Sequence, residues 1–148
     1  MKILAQNRRA RHDFAIEKDL EAGLELLGSE VKAIRMGRMQ IQDAYVQFQD
    51  GEAWLMGSHI GEYPHSRAFP HEPIRPRKLL LAAEEIRKWT RRVREKGYTI
   101  VPLEIYVSER GWIKIKLGLG KGKGRLDKRD DLKKKQMDRD MKRALKDR

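Results

Sequence analysis

Val101-Pro102-Leu103-Glu104-Ile105-Tyr106-Val107, Ser108-Glu109-Arg110-Gly111 and Trp112-Ile113-Lys114-Ile115-Lys116-Leu117 are the consecutive segments that decide the fold. Val101, Leu103, Ile105 and Val107 alternate with Glu104 and Tyr106. Ile113, Ile115 and Leu117 alternate with Trp112, Lys114 and Lys116. A period of two is the strand period, so each segment has one face for a core and one for solvent. The polar segment between them reads as a turn. The pair predicts a hairpin with an apolar face and a basic face.

Upstream, the same pattern recurs in shorter pieces. Ala44, Val46 and Phe48 alternate up to Asp50-Gly51, a strong hairpin signal, and Ala53 and Leu55 follow. His12 to Glu17, with Phe14 and Ile16, and Ala22 to Leu27 read as two further strands. Two stretches switch to helical spacing. Gly28-Ser29-Glu30 reads as a helix start with Ser29 as N-cap, Val31 and Ile34 facing inward and Gly37 as the stop. Ala83 to Lys96 carries Ile86, Trp89 and Val93 on one face and ends at Gly97. Gly61 to Arg77 holds four prolines and reads as loop. Five or six short strands and two or three short helices predict a mainly β fold, a small closed barrel of the OB type.

The chain has 148 residues, one domain's worth. Its 34 Lys and Arg face 22 Asp and Glu, a net charge of +12, and only 39% of residues are hydrophobic. A surplus of that size costs self-repulsion and points to an anionic partner, nucleic acid before an anionic membrane. The absence of cysteine excludes a disulfide scaffold, a Cys-ligated zinc and a cysteine nucleophile. The longest apolar run, Leu79 to Ala83, falls far short of the ~20 residues of a membrane span. The N-terminal apolar stretch is too short for a signal peptide. The expectation is a cytoplasmic protein without a membrane partner.

Charge divides the chain near Leu119. Residues 120–148 carry thirteen basic and six acidic residues, more than half of the net excess. We therefore divide the chain into a barrel, residues 1–119, and a basic C-terminal tail, residues 120–148. Gly118 to Gly124 reads as a flexible basic arm rather than a P-loop or dinucleotide loop, because the glycine spacing fits neither. Asp130–Lys134, Asp131–Lys135 and Asp138–Lys142 are helix-favouring pairs, and Met137, Met141, Ala144 and Leu145 form a thin apolar stripe. The tail is expected to be disordered alone and helical on an anionic surface.

Enzymatic motifs are missing. There is no Gly-x-Ser-x-Gly and no His-Glu-x-x-His. His59, His65 and His71 are spaced six apart, unlike zinc ligands, and read as solvated loop histidines. We expect no enzyme, no cofactor and no metal; a metal-dependent nuclease using these histidines is the rival from another class. The basic residues are the informative set: Arg8, Arg9 and Arg11; Arg75, Arg77 and Lys78; and Lys114 and Lys116 beside Trp112. Such residues hold phosphates, and an exposed aromatic stacks on an unpaired base.

An ordered series of short motifs carries a resemblance. Asn7-Arg8-Arg9-Ala10-Arg11-His12-Asp13-Phe14 is followed by Glu21-Ala22-Gly23-Leu24, Gly28-Ser29-Glu30-Val31-Lys32, Asp50-Gly51-Glu52-Ala53, Arg77-Lys78-Leu79-Leu80-Leu81 and Lys96-Gly97-Tyr98-Thr99. Lys121-Gly122-Lys123 and Asp127-Lys128-Arg129 close it. Each motif is weak and the ordered set is specific. The chain resembles the SsrA-binding protein (small protein B) family from about residue 5 onward.

That resemblance implies an OB-type barrel that binds the tRNA-like domain of transfer-messenger RNA and brings it, with elongation factor Tu, to stalled ribosomes for trans-translation. It implies a monomer whose tail enters the empty mRNA channel of the small subunit as a helix. Family positions on the RNA face fall on Asn7, Glu21, Leu80 and Lys114. With the basic reading above, the RNA-binding set is Asn7, Arg8, Arg9, Glu21, Lys78, Leu80, Lys114, Lys116, Lys121 and Lys123. The implied ribosome-contacting set is Asp127, Lys128 and Arg129, Lys133, Lys134 and Lys135, and Met137, Met141 and Leu145. Leu126 stands where the family usually carries Tyr or His, and Gly124 where it usually carries Lys. The alternative within the same class is a general ribosomal or tRNA-binding OB protein.

Overall fold

The chain runs β1 (Lys2–Gln6), α1 (Ala10–Asp13), β2 (Phe14–Leu24), α2 (Gly28–Arg35), β3 (Met39–Gln40), β4 (Tyr45–Gln49), β5 (Glu52–Met56), β6 (His59–Ile60), β7 (Arg77–Leu80), α3 (Ala83–Arg94), β8 (Tyr98–Val107) and β9 (Ile113–Gly122). This is a computed structural model, and it describes residues 2–64, 71–94, 97–122 and 139–145. The main sheet is ordered β1-β8-β9-β2-β7-β5-β4, and its paired strands are antiparallel. Strand β4 packs back against β8, so the sheet curls into the OB-type barrel expected from the sequence.

Local chemistry explains the elements. Asp50 and Gly51 both adopt positive φ, 53° and 76°, which is what a tight hairpin between β4 and β5 requires. Gly37 at φ 77° ends α2, and Gly97 at φ 85° follows α3. The interior is filled by Ile34, Val46, Leu55, Leu79, Ile105, Ile115, Leu117 and Leu119, with Trp89 of α3 covering one end.

Four expectations need correction. First, β2 is one strand of eleven residues, not two; its pairing with β9 continues through the charged run Glu17-Lys18-Asp19, where a register shift between Ile16 and Lys18 absorbs the irregularity. Residues 10–13, partly read as strand, form the short helix α1.

Second, the strict alternation of Val101, Leu103, Ile105 and Val107 does not survive. A register shift between Pro102 and Glu104 reverses the parity of β8. Ile100 and Ile105 enter the interior, whereas Val101 and Leu103 join a second apolar cluster with Tyr45, Trp54 and Met56. That cluster alternates with the interior residues along β4 and β5, so it lies on the outer face of the barrel.

Third, Gly118 to Gly122 belong to β9 rather than to a flexible arm. A Cβ on Gly120 would lie 2.7 Å from the Ala15 carbonyl oxygen, and one on Gly118 would meet Ile16 and Leu103. The glycines let neighbouring strands and side chains close over β9. Residues 139–145 are helical, and Met141 is fully buried among the outer cluster.

Fourth, Ser29 does not cap α2. Leu27 is the N-cap residue, and the Glu30 carboxylate accepts its backbone N–H at 2.8 Å. Ser29 turns instead to His71.

Candidate RNA-binding surface

The outer face of β9 is basic at one end and bare at the other. Ile113, Ile115 and Leu117 point inward, so Lys114 and Lys116 point outward, followed on that face by Gly118 and Gly120. Lys114 stands in register with Gly23 of β2, and Gly23 with Leu80 of β7. Glycine puts nothing between them: Leu80 leans over the gap, its Cβ 3.3 Å from where a Gly23 Cβ would stand. Leu80 is itself half exposed. The result is a shallow lane with an ammonium on one side and an exposed apolar side chain on the other.

Lys116 has a different setting. It is in register with Glu21 on β2 and Glu104 on β8, and its Nζ lies 3.7 Å from Asp19 Oδ2. Three carboxylates thus compete with phosphate for Lys116, whereas Lys114 forms no ion pair among the described residues and is flanked by Gly23 and Tyr106. Lys78, one strand further, pairs with Glu52 at 3.2 Å.

Asn7 and Arg8 join Lys116 around a hollow of about 290 Å³, with Gln6, Arg11, Leu103 and Glu104 completing its wall. Asn7 is buried. Its amide donates to the carbonyl oxygens of Pro102 (3.0 Å) and Ile41 (3.4 Å), while its Oδ1 has no partner among the described residues. Asn7 holds the first strand against the β8 irregularity, with its Oδ1 buried along with the rest of the side chain. Arg8 and Arg9 are exposed in the turn before α1.

The structure therefore gathers Arg8, Glu21, Leu80, Lys114 and Lys116 on one outer surface, whereas Asn7, expected there, is buried beneath it. Lys121 lies apart from these, its Nζ 4.6 Å from the Tyr98 ring centre, beside Arg92. Lys123, Asp127, Lys128, Arg129, Lys133, Lys134, Lys135 and Met137 lie outside the described residues, as does His65.

Two residues assigned to the basic surface or to solvent belong to the interior. Arg77 is fully buried, donating to Glu30 Oε2 at 2.7 Å and to the Ser58 carbonyl at 3.0 Å, and Arg75 donates to Glu30 Oε1 at 2.6 Å. Burial pushes the Glu30 carboxyl up, but hydrogen bonds from Arg75 and the Leu27 N–H and the charge of Arg77 outweigh it and hold the carboxyl below its ordinary range. Burial pushes the Arg77 guanidinium down, opposed by Glu30. His71 is likewise buried rather than solvated. Its Nε2 donates to the Ile60 carbonyl at 2.9 Å, so Nδ1 accepts from the Ser29 hydroxyl at 2.9 Å. These groups pin α2 to β7 and are spent on the fold.

Sequence reasoning passed over the outward face of α3. Arg87, Arg91 and Arg94 line an open groove of about 580 Å³ floored by Phe48 and Ile86. Arginines at i, i+4 and i+7 are the sequence signal for this face, on the side of the helix opposite its apolar stripe.

An OB-type barrel with a basic outer face defines a nucleic-acid-binding protein. The family model described as "SmpB: SmpB protein" matches residues 4–147, and the chain belongs to that family. It is 48% identical to the SsrA-binding protein of Symbiobacterium thermophilum over 145 residues, 98% of this chain and 92% of the relative. It is 50% identical to the SsrA-binding protein of Exiguobacterium sibiricum over 146 residues, 99% of this chain and 93% of the relative. A solved chain described as "tmRNA-SmpB: a journey to the center of the bacterial ribosome" superimposes with a TM-score of 0.69 at 43% identity, covering 83% of this chain and 85% of that one. Among the described residues no helix is long and apolar enough to cross a membrane.

Proposed function

We propose that this protein binds the tRNA-like domain of transfer-messenger RNA and delivers it to stalled ribosomes for trans-translation. Membership of the SmpB family carries the reading; the lane formed by Lys114, Gly23 and Leu80 supports it chemically. Lys114 would hold a phosphate and Leu80 would pack on a ribose or an unstacked base, while Asn7, buried beneath them, would position Arg8 rather than touch the RNA. Arg8 and Arg9 extend the phosphate track, with Glu21, Lys78, Lys116 and Lys121 at its margin. The complex includes elongation factor Tu and a single copy of this chain, and it works in the cytoplasm. Peptide transfer is left to the ribosome.

The tail senses the vacant mRNA channel in this reading. Lys121 and Lys123 lead into Asp127, Lys128 and Arg129; Lys133, Lys134 and Lys135 meet ribosomal RNA, and Met137, Met141 and Leu145 grip the channel wall.

Equilibrium binding of the full chain to the tRNA-like domain against excess tRNA, at near-physiological salt, tests the first half. Binding that survives the competitor is the expected result; binding that tRNA erases would leave a general tRNA-binding protein. Deletion of residues 126–148 tests the second half. RNA affinity should persist and tagging of stalled peptides should vanish.

A further inference from the structure

The outer face of the barrel carries an apolar patch whose cover comes from the far end of the chain. Trp54 is 1% exposed although it points away from the interior, and Tyr45, Met56, Val101 and Leu103 beside it are buried as well. A strand with one face on a core normally turns its other face to water. Here the outward Tyr45, Trp54, Met56, Val101 and Leu103 of β4, β5 and β8 form a buried apolar patch, which demands an outer layer. Residues 139–145 supply it: Met141 is 0% exposed within that cluster, and Leu145, one helical turn on, packs on its edge.

From this we infer that the outer patch is a docking site for the chain's own C-terminal helix, and that the helix must let go before its apolar stripe can act anywhere else. The occupant is seated on the patch, and its stripe matches in chemistry. Lys142 and Arg143 stay exposed, so contact is through the apolar face. A short amphipathic helix is marginal in water below ~12–15 residues, and packing supplies the missing stability. One face of one helix cannot pack on two surfaces. Met141 and Leu145 therefore serve the barrel or the channel, not both.

The site also touches the RNA-binding surface. Leu103 belongs to the patch and to the wall of the hollow shared by Asn7, Arg8 and Lys116. Asn7 fastens this corner, its backbone N–H donating to the Leu103 carbonyl at 2.8 Å. Departure of the helix would uncover Trp54 and Tyr45 next to bound RNA. The release step rests on the rescue function proposed above; the docking does not.

The native chain has no cysteine, so a single introduced thiol reports one position. In the free full-length protein, Met141→Cys should react with a maleimide about tenfold or more slower than Arg143→Cys, the measure of a closed contact that opens only transiently. Equal rates would overturn the docking. Met56→Cys, on the barrel side, should also be slow in the free chain. It should accelerate by about tenfold when the protein and transfer-messenger RNA occupy ribosomes with vacant channels. A slow Met56→Cys on those ribosomes would overturn release. If the protein fails to co-sediment with such ribosomes, the rescue reading fails, while the two free-chain rates still decide the docking. Phe14→Asp, which alters the patch edge and leaves the tail sequence intact, should raise the Met141→Cys rate to that of Arg143→Cys.

Discussion

Lys114 stands directly opposite Gly23 across the β2–β9 ladder, where glycine sets no side chain against it on the outer face. Lys116, two residues on, is hemmed by Glu21, Glu104 and Asp19. The two lysines differ in what surrounds them, not in which way they point. Lys114→Gln should weaken binding to the tRNA-like domain and reduce the slope of log K against log salt by about 1, because one phosphate contact is lost. Lys116→Gln should change that slope less, since its charge is already shared. Binding isotherms across a salt series check both, and equal slopes for the two variants would contradict the assignment.

Glu30 is the negative centre of the buried network that pins α2 to β7. Glu30→Gln leaves Arg77 buried without a compensating charge and should destabilise the protein by roughly 3–5 kcal/mol, read from urea unfolding at neutral pH. RNA binding by the folded fraction should be unaffected, because the network lies inside the barrel.

The same carboxyl sets an acid limb. Its folded pKa is held below the ordinary 4.5, so its stabilisation is complete above 4.5 and is lost as pH falls through the lower folded value. The stability gap between the native chain and Glu30→Gln should therefore narrow below pH 4.5 and stay constant above it. Urea midpoints at pH 3 to 7, on the order of five points, would show it.

Two glycines should respond oppositely to alanine. Gly120→Ala drives a Cβ to 2.7 Å from the Ala15 carbonyl oxygen, a backbone atom that cannot swing away, and should cost about 1–3 kcal/mol. Gly28→Ala meets nothing within 4 Å at the start of α2 and should stabilise by about 0.4–1 kcal/mol. Thermal unfolding midpoints of the two variants distinguish a packing glycine from an incidental one.

His71 is satisfied at both ring nitrogens. His71→Leu should strand the Ser29 hydroxyl and the Ile60 carbonyl and cost about 1–3 kcal/mol, without altering any metal dependence. A divalent cation that stabilised the native chain and not the variant would revive a metal role for this residue.

Much of this was legible in local sequence. Asp50-Gly51 specified a hairpin because both positions need positive φ, and the structure has that turn. Ile86, Trp89 and Val93 marked the buried side of α3, and Ile113, Ile115 and Leu117 the inward face of β9. The outward position of Lys114 followed from that alternation. The fate of Arg77 could not be read this way. Nothing near it in sequence distinguishes it from a phosphate-binding arginine; its partner Glu30 is forty-seven residues away.

By itself the sequence determined the hairpin strands β4, β5, β8 and β9 with their turns, the helices α2 and α3, and the outward lysines of β9. All of these depend on side-chain period and backbone preference within a few residues. Tertiary structure decided which apolar residues face which way. One register shift in β8 sent Val101 and Leu103 outward and Ile105 inward, because adding one residue to a period of two exchanges the faces. It also decided what covers the outer cluster and which charges are spent in the interior. Those outcomes join residues far apart in the chain, where only the closed barrel brings them within contact.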